Sequence, residues 1–140
     1  MAKKLSAREK LARKKDPKKV LLEHDFAGIK SGQLMFVGTP QIVDDYIRAI
    51  PFGETRTIVA MRNQIARRRK CDAMCPVSTA IFVRMVGEAM LEDIEDGKAL
   101  TEVAPIWRLI SSEDKVAKKL NTDPHWLDEQ RALEQEAVQS

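Results

Sequence analysis

The chain has 140 residues, 44% of them hydrophobic and 32% charged, with a net charge of +3. That composition predicts a soluble globular protein of one domain plus tails, and no apolar run approaches the roughly 20 residues of a membrane span. The start "MAKKLSAREKLARKKDPKKV" is basic with no apolar stretch behind it, so no secretory leader is expected. The cytoplasm is the expected compartment, with nucleoid association open to a chain whose charge is so unevenly spread.

Residues 1–30 carry ten Lys/Arg against four Asp/Glu (+6), and residues 31–90 eight against five (+3). Residues 91–140 carry six against twelve (−6). A basic front and an acidic back suggest one face turned towards a polyanion. Cys71 and Cys75 are the only cysteines, and His24 and His125 the only histidines. A zinc site needs four ligands at closer spacing, so no metal and no cofactor is expected.

In chain order, residues 1–30 read as a flexible basic arm with a helical stretch open from Ser6 to Lys15, and Leu5 and Leu11 are nearly the only apolar residues of its first half. Burial so small does not offset the entropy of ordering the arm, and its lysines suit phosphate contacts. Residues 31–135 form the predicted domain and residues 136–140 a frayed tail. "GQLMFVGTP" (Gly32 to Pro40) is a short apolar run bounded by Gly and Pro, as a buried extended segment would be. Thr39 then caps a helix with Pro40 at its first position, whose buried face is Ile42, Val43, Tyr46, Ile47 and Ile50.

A second helix is predicted from Thr55 or Thr57 to Arg69, buried along Ile58, Met61 and Ile65, with Arg62 and the run Arg67, Arg68, Arg69, Lys70 towards its end. "KCDAMCP" reads as a turn. A third helix runs from Pro76 or Val77 to about Glu95, ending at Gly97. Its wide apolar face takes in Val77, Ile81, Met85 and Ala89, with Phe82, Val86, Met90 and Ile94. Two helices joined by a short turn match a helix-turn-helix. "APIWRLI" (Ala104 to Ile110) followed by "SSED" predicts a strand-turn-strand wing. An acidic helix capped by Asp123, with Pro124 at its first position, carries Trp126, Leu127 and Leu133.

Three blocks in this order resemble a known family. "TPQIVDDYIRAIPFGETRT" is similar to the first helix and turn of the DNA-binding domain of O6-alkylguanine-DNA alkyltransferases and alkyltransferase-like proteins. "VRMVGEAM" (Val83 to Met90) resembles their recognition helix, and "PIWR" (Pro105 to Arg108) their active-site stretch P-C-H-R. The resemblance implies a mainly α fold, a winged helix-turn-helix with a small β wing, that enters the minor groove of duplex DNA and swings out an alkylated base. It implies Arg84 as the finger that replaces the base, and Gly87 as the point where the helix approaches the DNA backbone. Thr55 and Thr57 would meet phosphates, as would Arg62, Arg67, Arg68, Arg69 and Lys70. Pro105, Ile106, Trp107, Arg108 and Ser111 would line the base pocket. For each, a structural reading stands beside this one: an exposed helix charge for Arg84, helix packing for Gly87, capping for the threonines, and core for Trp107.

The departures bear on chemistry. Ile106 stands where the family keeps its acceptor cysteine and Trp107 where it keeps the histidine; neither is a nucleophile or a base. Ile58 replaces a tyrosine, and the linker Leu91 to Val103 is acidic. The expectation is a monomeric, non-catalytic DNA-binding protein that recognises alkylated DNA and works with a repair-pathway protein. Three alternatives remain: a sequence-reading regulator indifferent to lesions, an atypical alkyltransferase using Cys75, and a protein-interaction module docking through its acidic half.

Overall fold

The computed structural model describes residues 6–139, so Lys3, Lys4 and Leu5 of the expected arm and Ser140 of the tail lie outside the described residues. The chain is mainly helical with one small sheet. Helix α1 (Ala7–Ala12) opens it with a capping box: Ser6 Oγ accepts from the Glu9 N–H at 3.1 Å, and the Glu9 carboxylate accepts from the Ser6 N–H at 3.4 Å. Strand β1 (Lys18–Leu21) pairs antiparallel with β2 (Leu34–Val37), Lys18 opposite Val37 and Leu21 opposite Leu34.

Residues 6–30 are therefore a strap rather than the flexible arm that composition predicts. Composition counts apolar burial, but α1 is held by charge and backbone hydrogen bonds. Glu92 accepts from the N–H groups of Ala7 and Arg8 at 2.8 and 3.3 Å, and Arg8 Nε lies 2.8 Å from the buried Asp93 carboxylate and also pairs with Asp96. The acidic linker that looks hostile to a DNA backbone is, in part, the anchor of the strap.

Helix α2 (Pro40–Arg48) starts as its sequence dictates: Thr39 Oγ1 accepts from the Ile42 N–H at 3.2 Å and Pro40 occupies the first turn. Val43, Tyr46, Ile47 and Ile50 are buried, with Ile42 at the margin. Helix α3 (Ile58–Arg68) is capped by Thr57, whose Oγ1 accepts from the Ala60 N–H at 3.0 Å, and it buries Met61, Ile65 and Ala66. The connection after it contains β3 (Ala73–Met74), which pairs parallel to β2, Met35 opposite Ala73. A turn alone was expected here. A helix-turn-helix is joined by three or four residues, whereas this connection spans residues 69–75 and is stitched into the sheet.

Helix α4 (Pro76–Glu95) is about 30 Å long. It packs against α1 and α2 and against α5 (Lys115–Lys119), so its buried residues spread around the helix: Thr79, Phe82, Val83, Val86, Gly87, Ala89, Met90 and Asp93. The expected apolar face is half right. Val77 and Ile81 are 52% and 55% exposed, because no element covers the edge they occupy near the start of the helix.

The expected wing is absent among the described residues: "APIWRLI" forms no strand. A 3-10 turn (Leu100–Glu102) and a second one (Ile106–Arg108) lead into α5. The stretch is too buried for a solvent-facing hairpin, since Val103 to Trp107, Leu109 and Ile110 all join the main core. Helix α6 (His125–Gln139) ends the fold, with Leu127 sealed in the core. It continues through the expected frayed tail as far as Gln139, with the Val138 side chain lying over Gly53.

Candidate nucleic-acid interface

The residues singled out in the sequence fall into four places. The first is the exposed edge of α4. Val77, Ile81 and Arg84 follow one another at helical spacing, and the Arg84 side chain is 49% exposed. Its Nε donates to Glu88 Oε1 at 2.8 Å, one turn on. Strap residues come alongside. Lys10, Arg13 and Lys15 line a shallow cleft with Met85 of α4, and Lys15 Nζ sits 5.6 Å from the centre of the Phe82 ring. A larger cleft of about 580 Å³ holds Arg84 with Ser6, Lys10 and Lys119, and with Glu88, Glu92 and Glu95 towards the end of α4. Positive charge thus gathers at the strap and the middle of α4, and negative charge at its C-terminal end.

Gly87 lies one turn away but is buried. A Cβ there would meet the Leu120 side chain at 2.9 Å, so the glycine lets the end of α5 close onto α4. The expected contact with a DNA backbone is replaced by the packing role, because Leu120 already occupies the space.

The second place is the end of α3. Arg67, Arg68, Arg69 and Lys70 are exposed, Lys70 with φ of 57°. Arg69 lies over the Phe36 ring at 5.1 Å and Arg68 over Tyr46 at 5.9 Å. In both contacts it is the guanidinium head that lies over the ring, a cation–π arrangement. Tyr46 donates to Gln64 Oε1 at 2.7 Å, and burial holds its pKa above the ordinary value. Arg62 is half-buried on α3 with its Nε covered.

The third place is an open cleft of about 450 Å³ before α3, where Thr55, Thr57 and Ser111 meet Arg56 and Arg131. Ser111 lies 56 and 54 residues after Thr55 and Thr57 in the chain; the fold brings them to one wall. Arg56 and Arg131 were not anticipated. Thr57 is also the α3 cap, so its hydroxyl already serves the helix.

The fourth place is the expected base pocket, where Pro105, Ile106 and Trp107 are buried, Ile106 0% and Trp107 2% exposed. Glu134 of α6, overlooked in the sequence, explains why. Its carboxylate accepts from Trp107 Nε1 at 2.8 Å, from Arg108 Nε and Nη2 at 2.9 and 3.0 Å, and from the Gly53 N–H at 3.1 Å. Arg108 Nη1 donates to the Ile50 carbonyl at 2.8 Å, and Arg131 Nε to the Trp107 carbonyl at 2.5 Å. Burial pushes the Glu134 carboxyl up, but the hydrogen bonds from Arg108, Trp107 and Gly53 outweigh it and leave the carboxyl below its ordinary value. Trp107 also meets Trp126 edge-on, ring centres 5.8 Å apart. Adjacent Trp and Arg donors in an apolar stretch are a signal for a buried acceptor. The sequence offers several carboxylates on α6 and does not say which one turns inward.

Cys75 is buried, 5% exposed, at the start of α4, its N–H donating to the Phe36 carbonyl at 2.9 Å. Among the described residues no group of three or more His, Cys, Asp or Glu is placed to hold a metal ion, and no helix is long and apolar enough to cross a membrane. No model of a known protein family, no curated protein and no solved structure matches the chain.

Proposed function

We propose that the chain binds duplex DNA without catalysis, through the exposed edge of α4 and the basic strap beside it. The observation that carries this reading is the alignment of Val77, Ile81 and Arg84 on one uncovered helix edge, with Lys10, Arg13 and Lys15 alongside. Exposed apolar side chains next to arginine are what minor-groove proteins use to part base steps, while flanking lysines meet phosphates. The carboxylates Glu88, Glu92 and Glu95 direct the duplex towards the N-terminal half of α4. Releasing Arg84 from Glu88 costs little, since exposed ion pairs contribute about 1 kcal/mol or less.

The reading resembles that of an alkyltransferase-like protein, with α3 and α4 as the reading helices and a role in recognising O6-alkylguanine in repair. It differs in the receiving site. Ile106 and Trp107 offer a flipped base no room, whereas the cleft lined by Thr55, Thr57 and Ser111 is open and polar. The burial of Ile106 and Trp107 also favours a second reading, a duplex binder with no lesion preference.

The test is binding to two identical duplexes, one with a single O6-methylguanine, across several salt concentrations, for wild type, Arg84→Ala and Ile81→Ser. Tighter lesion binding that both variants abolish supports the sensor. Equal binding with a steep salt slope supports the general binder. Binding to neither duplex, or variants indistinguishable from wild type, overturns the α4 interface.

A further inference from the structure

We infer that the cleft between α6 and the loop at residues 50–53 is a docking socket for a basic amphipathic segment of a partner protein. It is walled by Phe52, Leu100 and Leu133 over a floor of Trp107, Arg108 and Glu134. The three apolar walls are 56%, 40% and 58% exposed, so large side chains that normally seek burial gather at one opening. The floor is polar but complete: the Trp107 and Arg108 donors and both Glu134 oxygens already bond one another or the neighbouring backbone. The group entering the socket is therefore apolar.

Size narrows the occupant. The cavity is about 190 Å³, below the ~300–1,000 Å³ of small-molecule pockets. It suits one large apolar side chain acting as an anchor, as in helix-in-groove recognition. Its floor is pinned by the Glu134 network, so only the walls need ordering when the anchor enters.

Charge completes the choice. On α6, Glu129 lies four residues before Leu133, which puts the two on one face. Glu102 adjoins the Leu100–Thr101 wall. A basic rim on the partner complements this surface, whereas duplex DNA is repelled by it. A two-fold contact between copies through this patch would set acid against acid, which disfavours a second copy of the chain.

The inference is independent of the DNA-binding reading, because it uses the opposite-charged half of the chain. The test uses a labelled helical peptide of about 15 residues, leucine on one face and lysine on the other, and a counterpart with glutamate for lysine. Fluorescence anisotropy is read with the full chain as wild type, Leu133→Ser, Glu129→Lys and Ile81→Ser. The expected result is saturable binding of the leucine–lysine peptide, weakened about tenfold or more by Leu133→Ser, weakened also by Glu129→Lys, and unchanged by Ile81→Ser. Leu133 and Glu129 are exposed, so thermal melts of the variants should match wild type. No saturable binding, equal affinity across the variants, or equal binding of the glutamate peptide overturns the inference. So does a concentration-dependent dimer in sedimentation that Leu133→Ser abolishes, since a second copy would then be the occupant.

Discussion

Replacing Glu134 by alanine should destabilise the whole fold. The substitution removes one acceptor that serves Trp107 Nε1, two nitrogens of Arg108 and the Gly53 N–H. It leaves Arg108, whose side chain is only 15% exposed, with its charge unpaired. Losing one partner of a buried ion pair costs about 3–5 kcal/mol. Arg108 keeps its bond to the Ile50 carbonyl and some solvent contact, so the lower end, about 3 kcal/mol, is the expectation. Against a total stability of about 5–15 kcal/mol, that is a large share. For a domain of this size it corresponds to a fall in Tm of roughly 10 °C. Glu134→Gln keeps the shape and an acceptor and should fall between alanine and wild type. A double-mutant cycle with Arg108→Met isolates the pair: the double variant should be less destabilised than the sum of the singles, because the orphaned charge is gone. Thermal and urea melts followed by circular dichroism measure wild type and the four variants. A loss below about 1 kcal/mol for Glu134→Ala, or strict additivity with Arg108→Met, would refute the role given to this carboxylate.

Two further predictions concern the rest of the fold. Gly87→Ala should cost about 1–3 kcal/mol, the usual range for overpacking, because the added methyl meets Leu120 at 2.9 Å; adding Leu120→Ala should make the glycine site tolerant, as urea melts of the single and double variants would show. The strap should loosen in acid. Glu92 is held below its ordinary pKa by the N–H of Ala7 and then by that of Arg8, so its contribution is complete above the ordinary carboxylate range and is lost as pH falls through its lowered value. Hydrogen exchange at the Ala7 and Arg8 amides should accelerate on acidification relative to core amides of α4, and Glu92→Gln should remove most of that difference.

The local signals in the chain were sufficient for α2, α3 and α4, though not for α5, which lies where a wing was expected. Thr39–Pro40 starts α2, Thr57 starts α3, Pro76 starts α4, and the left-handed Gly97 follows its end, because caps and proline act within one turn of themselves. Periodicity was enough for the buried stripes of α2 and α3, each covered from one side. It misled on α4, where Val77 and Ile81 share the apolar pattern but lie beyond the reach of α1, α2 and α5. Tertiary structure decided everything that depends on residues far apart in the chain. A lysine-rich segment was ordered by Glu92, Asp93 and Asp96, some 85 residues later. A pair of residues in "KCDAMCP" became a strand because β2 lay alongside. Trp107 and Arg108 turned inward because Glu134 received their hydrogens, and composition cannot choose which carboxylate of an acidic helix will do so. Capping and periodicity are short-range and so are written in neighbouring residues; charge pairing and covering are long-range, and only the folded chain brings their partners together.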